Sequence, residues 1–272
     1  ICLCVLPLCI SEGNDHPLGL HQDHHEHHIG KRRAEWQKRF GKDAIGLADN
    51  SMKESELHSL LLILKSISFM VESHLPWGKP KVFPPGHSVF ENQGHIYDVF
   101  EQVRYYSALA RVRPNISTIC EIGYNAGHSA TTFLYSNPNV TVYSFDLMMN
   151  PWSYMAYNLT KDLFGDRFKM IIGSSDETLD PKYMDGRVCD IVSVDGDHDN
   201  ALRDFRKARS VSRPGTLVVA DDYGSANKQI VRDVNGAIHG DKSLKEVELM
   251  KDFRWIPSPG DYFKGWALLE YI

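Results

Sequence analysis

Short apolar runs recur through the second half of the chain, and most of them stop at an acid. Ile116–Ile122, Val140–Phe145, Phe168–Ile172, Cys189–Val194 and Thr216–Ala220 are of strand length and rich in β-branched or aromatic residues. Val247–Met250 and Trp266–Tyr271 predict two further strands. Between the runs lie segments with apolar residues at helical spacing. One opens at His128, and one covers Trp152–Phe164 with Pro151 at its first turn, where proline is tolerated. Another covers Asn200–Ser210. A fourth is capped by Ser225 and aligns Ile230, Val231, Val234 and Ile238 on one face. Strands alternating with helices predict an α/β fold: a doubly wound, mostly parallel, seven-stranded sheet covered on both faces, Rossmann-like in layout.

Two helices are expected ahead of this region. Ser51–Glu72 starts with a capping box, Ser51 and Glu54, and places Leu57, Leu60, Leu61, Leu64 and Ile67 or Ser68 on one face. That face either packs on the core or makes a homodimer through the N-terminal helices. Ile96–Arg111 repeats the helical spacing with Ile96, Val99, Phe100, Val103 and Leu109. Between them, Pro76–Gly94 reads as a loop, either a plain connector or a cover over the site.

The stretch that organises the rest is Ile116–Ser129. A strand ends in Glu121, a turn holds Gly123 and Gly127, and His128 and Ser129 open a helix. In such folds ligands sit beyond the carboxyl ends of the strands. Glycine there lets the backbone approach a ligand, because it lacks a Cβ and tolerates positive φ. The dinucleotide fingerprint does not fit, since Asn125 stands where its middle glycine is needed. Glu121, Asp146, Asp195 and the pair Asp221–Asp222 each close a strand, so a parallel sheet gathers them at one crevice. Crowded like charges call for compensation. A cation, and hydroxyls that donate to the acids, would supply it.

Composition narrows the picture. The chain has 272 residues, 42% hydrophobic and 24% charged, with net charge −5. Basic residues are interspersed with acids, so no nucleic acid is expected as partner. No apolar run reaches the roughly 20 residues of a membrane span. Ile1–Ile10 resembles the core of a secretory signal, with residues 1–13 as its remnant and a secreted or secretory-lumen protein implied. If the segment is not a signal, the cytoplasm is implied. Residues 14–50 read as a polar, histidine-rich, disordered segment, residues 51–112 as helices and proline-rich loop, and 113–272 as the α/β domain. The histidine tract 16–28 raises the alternative of metal buffering. Of five cysteines, only Cys120 and Cys189 lie outside residues 1–10, and both are read as buried free thiols. Asn115, Asn139 and Asn158 head N-x-S/T sequons.

Taken together, Glu121–Ser129, Asp146, DIVSVDGDH (Asp190–His198) and PGTLVVADD (Pro214–Asp222) resemble the class I S-adenosylmethionine (SAM) methyltransferases. They are most similar to the methyltransferase 24, macrocin O-methyltransferase-like family, and more distantly to catechol and caffeoyl-CoA O-methyltransferases. The resemblance implies that Glu121 and Gly123 border the methionine part of SAM, with Asn125 and Ser129 on its carboxylate and Gly127 also in the cofactor site. It implies Asp146 on the ribose hydroxyls and Ser175 and Asp176 beside the adenine. Asp195, Asp221 and Asp222 would hold Mg²⁺ or another divalent cation, with Asp197 as the alternative to Asp195. His198 stands where the catechol type has a lysine base, and would deprotonate a hydroxyl of a small-molecule acceptor.

Each role has a structural alternative: Asp146 or His198 as a helix cap, Asp221–Asp222 as a turn. At the level of function the alternatives are a metal-independent N- or O-methyltransferase, or a non-catalytic protein that keeps the fold.

Overall fold

The computed structural model describes residues 52–73, 100–150, 152–197, 199–224, 228–254 and 263–272. The sequence expectations for residues 1–51, for the Pro76–Gly94 loop, and for Pro151, Ser225 and His198 lie outside the described residues.

The helices are α1 (Glu54–Ser73), α2 (Phe100–Leu109), α3 (His128–Ser136), α4 (Ser153–Phe164), the short α5 (Ser175–Thr178), α6 (Ala201–Ala208) and α7 (Lys228–Gly240). The strands are β1 (Thr118–Ile122), β2 (Thr141–Asp146), β3 (Phe168–Ile172), β4 (Ile191–Val194), β5 (Leu217–Ala220), β6 (Leu244–Arg254) and β7 (Phe263–Tyr271). They form one sheet in the order β3-β2-β1-β4-β5-β7-β6. The first five are parallel, while β7 runs antiparallel to both β5 and β6. The last two strands are longer than the apolar runs suggested, because they pair with each other well past the four positions at which β7 pairs with β5.

The chain leaves β1 toward β2 and β3, then returns to place β4 on the other side of β1. This reversal creates a crevice beyond the ends of β1 and β4, the switch point where open α/β sheets bind ligands. Strands β1, β4 and β5 are buried at every position, as expected of parallel strands covered on both faces.

Strand alternation sorts the side chains. Cys120, Ile122, Val192, Val194, Val218 and Ala220 point to one face, against Phe205 and Ala208 of α6 and Ile230, Val234 and Ala237 of α7. Glu121 therefore points to the opposite face, toward α3.

Helix α1 begins at Glu54, and Glu56 Oε2 accepts from Lys53 N at 3.2 Å, a capping contact further along than Ser51–Glu54. Its buried face is Leu57, Leu60, Leu64, Ile67 and Ser68, against α3 and α4 of the same chain. Each such aliphatic side chain contributes roughly 1.5–3 kcal/mol when fully buried. This face packs on the core of its own chain. Residues Asp49–Ile272 form one compact unit, so α1 is not a separate module. No helix among the described residues is long and apolar enough to cross a membrane.

One expectation is overturned. Cys120 and Cys189 are joined in a disulfide, with Cα atoms 5.8 Å apart, inside the usual range. The free-thiol reading missed it because their proximity depends on β4 lying beside β1, which the spacing of 69 residues does not disclose.

Candidate active site

The turn after β1 is built on left-handed backbone: φ is +92° at Gly123, +49° at Asn125 and +75° at Gly127. At Gly123 the need for glycine is steric as well. A Cβ there would lie 2.0 Å from the carbonyl oxygen of Asp195, so the turns after β1 and β4 touch through backbone alone. Gly127 precedes α3 and its carbonyl accepts from Thr131 N at 2.9 Å. The α3 start is braced by α1, through Ser68 Oγ and His128 Nε2 at 2.8 Å.

Asp146 ends β2 and grips this turn. Its Oδ2 accepts from Tyr124 N at 2.7 Å and Asn125 N at 3.1 Å, and its Oδ1 from Met148 N at 2.6 Å. It does not cap α4. The acid at the β2 end and the glycine turn are therefore one structural unit.

Beyond these ends lies a cavity of about 530 Å³, within the span of roughly 300–1,000 Å³ common for small-molecule sites. Gly123, Asn125, Asp146, Ser175, Asp195 and Asp222 all line it. Asp197, Asp199 and Asp204 add to the acidic wall, with Arg203 as the cation among them. Arg203 Nε lies 3.2 Å from Asp176 Oδ2.

Other residues singled out in the sequence stand behind the wall rather than on it. Glu121 is fully buried and accepts from Ser144 Oγ at 2.5 Å and from the Ser129 hydroxyl. Burial pushes its pKa up to about 8, with the two serine hydroxyls opposing the rise. Asp221 is buried and accepts from Gln102 Nε2 of α2 at 2.6 Å and from Asp222 N at 2.8 Å.

No group of three His, Cys, Asp or Glu side chains among the described residues is placed to hold a metal ion. Asp195 and Asp222 face the cavity, while Asp221 is bound to Gln102 instead. As arranged, this trio does not fit a single divalent ion.

Three contributors escaped the sequence reading. Asp204 on α6 is buried, lines the cavity, accepts from Ser175 Oγ at 2.6 Å, and has its pKa raised by desolvation. Leu147 and Met149 also line the cavity, although Met149 is 81% exposed. Large apolar side chains in the loop directly after Asp146 were the available signal.

This geometry agrees with what the chain is similar to. Residues 120–223 match the family model described as Methyltransferase domain, and the fold is that of the class I methyltransferases. The matched stretch runs from β1 through β5, the part of the sheet whose ends frame the cavity.

Its similarity to solved structures extends over most of its length at low identity. An O-methyltransferase from Bacillus cereus in complex with SAH (S-adenosylhomocysteine) is 16% identical, with a TM-score of 0.54, covering 89% of this chain and 99% of that one. The O-methyltransferase TomG from Streptomyces achromogenes, in complex with SAM, is also 16% identical, with a TM-score of 0.54 and coverage of 86% and 98%. The SAH-bound methyltransferase PaMTH1 from Podospora anserina is 14% identical, with a TM-score of 0.53 and coverage of 96% and 99%. No curated protein sequence matches the chain.

Proposed function

We propose that the protein is a SAM-dependent O-methyltransferase acting on a hydroxyl of a small molecule. The observation that carries this reading is the unit formed by the Gly123 turn and Asp146 at the mouth of an acid-lined cavity. When bound, SAM supplies a sulfonium methyl that passes to the acceptor oxygen and leaves a neutral thioether.

The α3 N-terminus, just past Gly127, suits the carboxylate of the methionine moiety. The Asn125 side chain is turned toward Trp152, whose Nε1 donates to its Oδ1 at 2.7 Å. An ionised carboxylate has about four acceptor positions. Asp146 uses three on backbone N–H groups, and the remaining one suits a ribose hydroxyl. Leu147 and Met149 offer apolar surface for the adenine, with Ser175 nearby. The acidic wall favours a positively charged sulfonium over the neutral product.

His198 is the proposed base, taking the hydroxyl proton as the oxygen attacks. Positive and negative charge vanish together in this step, so exclusion of water and strict alignment supply most of the acceleration. A secretory-lumen location, with nucleic acid excluded as a partner, completes the reading.

Calorimetric titration with SAM and SAH tests the core of it. Saturable binding of both at one site, abolished in Gly123→Ala, is the expected result. Absence of binding by the folded wild-type protein would overturn the reading. His198→Ala should keep SAH affinity and lose methyl transfer in an acceptor screen.

A further inference from the structure

We propose that Asn115 and Asn139 are acceptors of N-linked glycans, a modification that leaves the ligand cavity free. The argument starts from the sheet. In a parallel sheet all strand starts lie on the edge opposite the strand ends. Asn115 lies just before β1 and Asn139 just before β2, and both are exposed and in turns. The two strands are neighbours, with Thr118 level with Thr141, so the two asparagines share one stretch of that far edge. The sequon hydroxyls are those of Ser117 and Thr141.

A second observation is independent of the motif. Cys120 and Cys189 are joined in the core, and such bonds form and persist in oxidising compartments, the secretory lumen among them. That lumen is also where asparagine is glycosylated. A third concerns the surroundings of Asn115. It opens on a cavity of about 260 Å³ whose walls include Arg113, Asp190, Arg213 and Gly215, polar surface suited to the first sugar. The third sequon is different in kind, since Asn158 lies inside α4 and its hydroxyl partner Thr160 is buried against Tyr124 at 2.8 Å.

The chemistry is a group transfer from a polyprenyl-diphosphate-linked oligosaccharide, supplied with its transferase by the host. The asparagine side-chain nitrogen forms a bond to the anomeric carbon of the sugar. The bond from that carbon to the diphosphate oxygen breaks. The polyprenyl diphosphate leaves with the electron pair, and the nitrogen gives up one proton.

The test uses the full chain behind a cleavable secretory leader in a eukaryotic host. Peptide-N-glycosidase treatment in heavy-oxygen water converts each glycosylated asparagine to labelled aspartate. Labelled aspartate at both 115 and 139 is expected, with Asn115→Gln and Asn139→Gln each removing one glycan from the intact mass. Unmodified asparagine at both positions overturns the proposal, and modification at one overturns it for the other. Secreted and cell-associated fractions are both read, so poor export does not mask the result. SAH titration on the same material is a separate measurement, because this proposal does not rest on the methyltransferase reading.

Discussion

The two edges of the sheet use the same residue type to opposite ends. At the amino edge, Asp190 accepts from Ser117 N and Thr118 N at 2.8 and 3.0 Å and pairs with Arg213 at 2.5 Å. Burial raises its pKa, but these donors outweigh that and hold it below the usual carboxylate range. Arg113 and Glu270 are paired nearby at 2.6 Å. At the carboxyl edge, acids crowd a cavity, left-handed backbone recurs at Gly123, Asn125, Met148 and Asp222, and burial raises the pKa of Glu121 and Asp204. One edge is settled electrostatically. The other holds charge and strain of the kind a ligand can relieve.

The sharpest way to break this contrast is at Gly123. Gly123→Ala forces a Cβ into the Asp195 carbonyl and strains a positive φ. We expect loss of SAH binding and a stability loss of about 3 kcal/mol or more. Calorimetry and thermal melting read the two effects.

The next comparison sets one edge against the other. Asp190→Ala leaves two backbone donors and a guanidinium without their acceptor, so stability should fall by about 2–3 kcal/mol, while SAH affinity stays as it was. Asp146→Ala should lower SAH affinity by a factor on the order of 10–100, equivalent to about 1.4–2.8 kcal/mol. Equal effects of both substitutions on affinity would erase the distinction between the edges.

Much of this contrast was legible in the sequence. Strand starts and ends follow from apolar runs of fixed length, and a parallel sheet then puts the terminal acids on one edge. Direction was harder to read. Asp221 and Asp222 are consecutive, and they part company, one to Gln102 and one to the cavity. Glu121 sits at a strand end yet points to the α3 face and is sealed by Ser129 and Ser144. The disulfide and Asp204 depend on which strands and helices become neighbours, and no local pattern records that.

Glu121 gives a prediction of its own. Its folded-state pKa of about 8 lies above its ordinary value of 4.5. The folded protein therefore holds a proton there that the unfolded chain releases between those values. Stability from this group is fully present below pH 4.5 and is lost as pH rises toward 8. Glu121→Gln imitates the protonated acid, so this component of the slope should vanish. Denaturant melts at pH 5 and pH 8 check it, and an unchanged slope would mean that Glu121 is ionised throughout.

The smallest expected effect concerns divalent cations. The resemblance assigns Asp195, Asp221 and Asp222 to one ion, yet Gln102 Nε2 holds Asp221 Oδ1, and only Asp195 and Asp222 of the three line the cavity. To join the other two through Oδ1, Asp221 has to release that 2.6 Å hydrogen bond. With the arrangement as it stands, methyl transfer should be unchanged in excess EDTA. Loss of transfer under EDTA, restored by Mg²⁺, would show that Asp221 leaves Gln102 when the site is occupied. Gln102→Leu would then tighten Mg²⁺ binding, since it removes the competing donor. The same variant in a protein indifferent to EDTA would lose stability alone, so the pair of measurements separates a metal ligand from a structural turn.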